Sequence, residues 1–221
     1  MSKYIAFFTS INFKTLYFNF KYLPFKQAIK LPFIISKWVV LHKMKGEVVI
    51  NAPIQTGMIR IGFGNVGFFD KKRSRSMWDV MGKVVFNGKA SISQGTKISV
   101  GHIGILELGD NFGTNAEVTI IVRHFVKFGD HSGASWNTTV IDTDFHNICD
   151  KEGNVINPPK PVIIGNRVWI GFNVTILKGA VIPDDSMIGA NSMVSKDITG
   201  KSGIFVGSPA KLYKEGISWK L

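Results

Sequence analysis

Five histidines, at positions 42, 102, 124, 131 and 146, are the side chains of this protein best suited to moving a proton, because an imidazole titrates near neutral pH. His146 stands apart from the others. It closes the run Asp142-Thr-Asp-Phe-His146 and opens a stretch reaching Pro161, with Gly153, Pro158 and Pro159, that fits no regular pattern. A histidine so placed can serve as a general base toward a weak nucleophile such as an alcohol. Asp142 and Asp144 beside it have three open roles: orienting the imidazole, holding a polar substrate, or capping backbone amides. The single cysteine, Cys149, excludes an internal disulfide framework and makes a reducing, cytoplasmic setting the expectation.

What positions these residues is a repeat. From Ile164 an aliphatic residue falls at every sixth position: Ile164, Ile170, Ile176, Ile182, Ile188 and Val194. Helices repeat apolar residues every three to four positions and strands every two, so neither period accounts for six. Three hexads make one turn of a triangular coil, with each aliphatic residue stacked inside above its equivalent 18 positions away. Asn166, Asn173, Lys178-Gly179, Asp184-Asp185 and Asn191 fall at the corners, where positive φ is required. The same spacing recurs upstream in Phe86, Ile92 and Ile98, in Leu108, Thr114 and Ile120, and in Phe128, Ala134 and Val140, with phase slips between the sets. Residues 48–68 read as a first irregular turn, and His146 to Pro161 as a loop extruded from one corner of a rigid scaffold.

The charge is as uneven as the repeat is regular. Of the net +12, residues 1–46 hold eight lysines (Lys3, Lys14, Lys21, Lys26, Lys30, Lys37, Lys43, Lys45) and no acid, so the rest of the chain carries only +4. The same segment holds Tyr4, Phe7, Phe8, Phe13, Tyr17, Phe18, Phe20, Tyr22, Phe25, Phe33 and Trp38. Lysines interrupt every apolar run, so it reads neither as a bilayer-spanning segment nor as a signal peptide. It is expected to cap one end of the coil or pack on a partner subunit, to lie at a membrane surface, or to combine these roles. The domain reading is 1–46 as this cap or interfacial segment, 47–200 as the coil with the loop 146–161, and 201–221 as a short tail, expected to be helical. A general nucleic-acid surface is disfavoured, because the basic excess sits on no recognisable motif.

Taken together, these residues resemble the hexapeptide-repeat acetyltransferases, in the branch that acetylates sugars and antibiotics. The likeness covers roughly residues 85–214, and the run Lys14-Thr-Leu-Tyr-Phe-Asn-Phe-Lys21 is similar to the leader of capsular and exopolysaccharide acetyltransferases. The resemblance implies an all-β, left-handed parallel β-helix, against the usual right-handed crossover. It implies His146 as the general base, with the acceptor hydroxyl attacking the thioester of acetyl-CoA and no acyl-enzyme. It also implies an acceptor contact from Asn115, in Asn111-Phe-Gly-Thr-Asn115, and Asp144 joins it as a candidate. Val168-Trp-Ile-Gly171, Ile188-Gly-Ala-Asn-Ser-Met-Val-Ser195 and Val206-Gly-Ser-Pro-Ala-Lys211 are similar to the family's acetyl-CoA track. Gly171 and Ala190 would offer backbone amides to the pantetheine arm, Ser195 a hydrogen bond, and Lys211 and Lys214 cations for the phosphates. Phe172 departs from the small polar residue of many relatives. The family also implies a homotrimer with active sites between subunits, and no metal.

Rivals remain on the same scaffold. A γ-class carbonic anhydrase would need three converging imidazoles for zinc, and these histidines lack that enzyme's pair five apart. An N-acetyltransferase of an amino sugar, an antibiotic acetyltransferase and a non-enzymatic β-helix scaffold share the coil. Retention of both His146 and the Gly-Ser-Pro-Ala-Lys stretch speaks against the scaffold, and the likeness of the Lys14–Lys21 leader favours the sugar O-acetyltransferase of exopolysaccharide, capsule or lipopolysaccharide biosynthesis.

Overall fold

The computed structural model describes residues 11–64, 66–67, 69–70, 72–198 and 202–219; Lys3, Tyr4, Phe7, Phe8 and Lys201 of the sequence reading lie outside them. Short strands stack into three parallel sheets that form the faces of a triangular prism. The first face holds Phe33–Ile35, Ile59–Phe63, Ala90–Ser93, Phe112–Thr114, Gly133–Ala134, Trp169–Ile170 and Met187–Ile188. The second holds Val40–Met44, Met77–Val80, Lys97–Val100, Thr119–Val122, Thr139–Ile141, Thr175–Ile176 and Met193–Val194. The third holds Glu47–Ile50, Lys83–Phe86, Ile105–Leu108, Phe125–Phe128, Val162–Ile164 and Val181–Ile182. The chain visits them in the order first, second, third, turn after turn.

Every hexad residue named from the sequence points inward. Phe86, Leu108, Phe128, Ile164 and Ile182 stack in register on the third face. Ile92, Thr114, Ala134, Ile170 and Ile188 do so on the first, and Ile98, Ile120, Val140, Ile176 and Val194 on the second. All are buried, and a fully buried aliphatic side chain contributes roughly 1.5–3 kcal/mol. The phase slips have one location. From third face to first to second the inward residues are always six apart in these turns. Between second and third they are 10 apart (Ile98 to Leu108), 8 (Ile120 to Phe128), 24 (Val140 to Ile164) and 6 (Ile176 to Ile182). From Phe86 onward extra residues therefore leave the coil along a single edge, the one between second and third faces, which keeps the core of these turns in phase. In the earlier turns the longer connections, Ile50 to Ile59 and Phe63 to Met77, fall at the other two edges.

Corner chemistry differs in detail from the expectation. Positive φ falls on Arg167 rather than Asn166, and on Asn173, Gly179, Asp185 and Asn191 as expected. Asn166 and Asp184 instead belong to a ladder on the third-to-first edge. There the amides of Lys89, Asp110, Asp130 and Asn166 donate to the side-chain oxygens of Asp110, Asp130, Asn166 and Asp184, one turn on, at 2.7–2.8 Å. These carboxylates and amides satisfy corner donors that the parallel strands cannot reach.

Two boundaries need correction. The coil begins at Phe33, not at 47, because Phe33, Ile34 and Ile35 are all buried and pair with Ile59–Phe63. The adjacent aliphatics and scattered lysines hide that first turn from the six-residue period. The helix Phe13–Tyr22, capped at its start by the Asn12 side chain, closes the end of the prism. Phe18 plugs the core against Phe33 and Trp78 at ring separations of 4.9 and 5.1 Å. The tail is no helix: Gly203–Gly207 extends the first face beside Met187–Ile188, and Ala210–Glu215 folds back antiparallel on it. The exposed edge of the first face offers unpaired backbone groups that a strand satisfies and a helix would not.

Candidate active site

His146 lies on the excursion that leaves the coil after Ile141 and returns at Val162. The departure opens a gap in the edge's hydrogen bonding. One turn earlier, Gly101 N donates to Val122 O, but the equivalent amide of Arg123, and that of His124 after it, meet no backbone carbonyl among the described residues. Asp142 fills the gap: its two carboxylate oxygens each accept one of these amides at 2.7 Å, with the side chain wholly buried. Of the three roles open to Asp142 the structure selects amide capping.

Beyond Asp142 the loop is pinned again. Asn157 clamps its base, donating to Asp144 and to the carbonyl of His146 at 2.8 and 2.9 Å and accepting from the Ile148 amide at 2.6 Å. Lys178, on the same edge one turn up, reaches Asp144 at 2.5 Å and the carbonyl of Asn157 at 2.7 Å. These bonds, Lys178 first and Asn157 second, hold the Asp144 carboxyl below the usual aspartate range. Asp144, a candidate acceptor contact from the sequence, is thus engaged in fixing the loop. The tip turns through Asp150–Gly153, where Asp150 accepts from the Glu152 and Asn154 amides. Phe145, immediately before His146, takes φ of 62°, a left-handed conformation costly for a bulky residue, and its ring lies 5.1 Å from the Arg123 guanidinium. The His146 imidazole is exposed, with no hydrogen-bond partner among the described residues.

The cofactor candidates lie near the other end of the coil. Gly171 is required by packing: a Cβ there would sit 2.8 Å from both Ala190 N and Ile188 O. Its amide already donates to Ile188 O at 2.8 Å, so it is committed to the ladder rather than free for a ligand. Ala190 is exposed, and its amide makes no hydrogen bond among the described residues. Ser195 is exposed on the loop-bearing edge, one turn above Leu177, and Lys211 and Lys214 are exposed on the returning strand of the tail. Asn115 lies on a different edge, between first and second faces, at the rim of a first-face groove of about 250 Å³ lined also by Ser93, Ser135, Trp169 and Trp219. One chain therefore leaves His146 and Asn115 on separate edges.

Trp169, named in the sequence only within the cofactor track, pairs with Trp219, which the sequence did not single out. Their rings are 6.3 Å apart, and Trp219 Nε1 donates to Arg167 O at 2.8 Å, folding the tail over the first face. The signal was present in Trp169, a large aromatic at an outward hexad position, but Trp219 sits beyond the repeat. Lys178 was likewise read only as a corner residue. Among the described residues no group of three or more His, Cys, Asp or Glu side chains could hold a metal ion.

Comparison with known proteins places this geometry. Residues 161–196 match the family described as bacterial transferase hexapeptide (six repeats). The chain is 36% identical over 112 residues to the galactoside O-acetyltransferase of Escherichia coli K12, covering 50% of this chain and 54% of that protein. It is 40% identical over 106 residues to the polysialic acid O-acetyltransferase of Neisseria meningitidis, covering 48% and 49%. The chain thus spans about half the length of these curated relatives. Among solved structures it is similar to a hexapeptide-repeat acetyltransferase of Vibrio cholerae in complex with acetyl-coenzyme A, with TM-score 0.50 and 24% identity over 60% of this chain and 70% of that one. The repeat, the three-faced coil and these likenesses give the chain a left-handed parallel β-helix fold, with the hexapeptide repeat matched at residues 161–196.

Proposed function

We propose that the protein is an acetyl-CoA-dependent O-acetyltransferase acting on a sugar hydroxyl, in the making of an exopolysaccharide, capsule or lipopolysaccharide. The observation that carries this reading is the His146 loop, which three separate anchors fix at the coil edge while its imidazole has no hydrogen-bond partner among the described residues. His146 takes the proton of the acceptor hydroxyl as that oxygen attacks the thioester carbonyl, and returns it to the departing thiolate. The similarity to relatives named for O-acetylation of a galactoside and of polysialic acid supports oxygen over nitrogen as the acceptor atom.

The amide of Ala190, which makes no hydrogen bond among the described residues, Ser195 and the cations of Lys211 and Lys214 suit a donor with an amide-bearing arm and phosphates. The Trp169–Trp219 groove beside Asn115 suits a sugar, whose apolar ring face stacks on aromatics. Since His146 and Asn115 occupy separate edges, the reading includes a homotrimer in which each site draws on two subunits. It also includes a cytoplasmic location with peripheral membrane contact through residues 1–46; no described helix is long and apolar enough to cross a membrane. The test is release of free CoA against a panel of sugar acceptors. Acetyl transfer to a sugar hydroxyl is expected, and transfer to amines alone would replace this reading with that of an N-acetyltransferase.

A further inference from the structure

The end-capping helix is built with its polarity reversed. Its inward stripe is polar: Asn19 Nδ2 donates to the carbonyl of Phe33 at 2.8 Å while its Oδ1 accepts the Phe33 amide at 3.1 Å. Thr15 Oγ1 accepts the Ile35 amide at 3.0 Å, and Asn12 Nδ2 donates to the Ile35 carbonyl at 2.7 Å. These side chains stand in for the strand that the first turn lacks, and only Phe18 is needed as an apolar plug. The outward face is apolar instead, with Phe13 79% exposed, Leu16 43%, Tyr17 45% and Phe20 48%, joined by Phe25 at 70% and Ile29 at 54%. Capping explains none of these six.

Charge identifies what such a face meets. Lys14 is spent on the carbonyls of Lys37 and Val39, but Lys21, Lys26, Lys30 and Lys37 are exposed around the apolar residues, and residues 11–46 contain no acid. Lys21 borders both the apolar patch and a cleft of about 570 Å³ lined also by Lys45, His102 and the Lys83–Glu47 ion pair, so that its cations outnumber its single acid. A second copy of the same face would bring lysines against lysines. Inserted rings with ammonium groups at their margin are the arrangement that seats on anionic lipid. We propose that this helix face docks the protein on an anionic bilayer, with the coil axis rising from the membrane. The proposal deepens the peripheral-membrane reading of residues 1–46 and rests on it, independently of the chemistry at His146.

Deleting residues 1–46 would remove two strands of the first turn, so point variants make the better test. The full chain, Phe13→Glu/Phe20→Glu and Lys21→Glu/Lys26→Glu are co-sedimented with phosphatidylcholine vesicles with and without 30–40 mol% phosphatidylglycerol, roughly the anionic content at which basic segments bind. The full chain is expected to bind only the anionic vesicles and to be released by salt. Each variant is expected to lose about tenfold or more of this partitioning, with thermal unfolding and acetyl transfer to a soluble acceptor unchanged. Variants that bind as well as the parent overturn the docking face while sparing the peripheral reading. A full chain that ignores anionic vesicles overturns both. Variants that instead lose self-association in sedimentation velocity overturn the proposal in favour of a second copy.

Discussion

Replacing Asp142 by alanine removes the acceptor for two backbone amides at once. Both bonds are 2.7 Å long, the carboxylate is fully buried, and the loop's departure has already removed the backbone carbonyl that serves this position one turn earlier. A buried donor left without a partner costs about 1–3 kcal/mol, so two of them, partly rescued by water because Arg123 is half-buried, give a loss of about 3 kcal/mol. Asparagine keeps one acceptor oxygen but sets its NH₂ against the second amide, so it should lose about half as much or somewhat more. The assay is urea unfolding at fixed protein concentration, since assembly would couple to stability, with hydrogen exchange read at the Arg123 and His124 amides. Protection should fall at those two amides first, and sugar acetylation with it, because the same residue fixes the root of the His146 loop. An alanine variant within about 0.5 kcal/mol of the parent, with both amides still protected, would refute the reasoning.

Other outcomes follow from the same geometry. Lys178→Met should return the Asp144 carboxyl toward its ordinary range, seen by NMR titration. In the parent, where that carboxyl is depressed, the loop anchor is complete above the unfolded aspartate range near pH 4 and is lost only as pH falls through the lower folded value; limited proteolysis of residues 146–157 should follow that order. Asn19→Ala orphans the Phe33 amide and carbonyl and should cost about 2–4 kcal/mol in unfolding experiments, whereas Phe20→Ser on the opposite face should stay within about 0.5 kcal/mol. Inactive His146→Ala and Asn115→Ala chains, unfolded and refolded together in equal amounts, should recover about a quarter of parental activity if each site draws on two subunits, and none if sites lie within one chain.

The coil was legible because its signal is redundant: fifteen inward positions from Phe86 to Val194 share one period, so a slip at an edge could not hide it. The first turn was not, because Phe33-Ile-Ile35 presents three buried residues in a row and the lysines beside them point away. A strand buried on both faces, with a helix bonded along its edge, carries no alternation. The tail escaped for a related reason, its structure being set by an open sheet edge far away in sequence. At the site, the sequence singled out His146 by its motif and the broken repeat beside it. It could not separate the roles of Asp142 and Asp144, since both are aspartates at a turn. Only three-dimensional neighbours, the Arg123 and His124 amides for one and Lys178 for the other, tell them apart.

The most direct test of the account is His146→Ala assayed for acetyl transfer, with CoA binding and thermal unfolding measured on the same preparation. The imidazole is exposed and makes no hydrogen bond among the described residues, so its removal should leave folding and CoA affinity intact. Transfer should fall by at least about a hundredfold, the lower end of what a general base supplies. A folded, CoA-binding His146→Ala protein that acetylates at the parental rate would contradict the central claim.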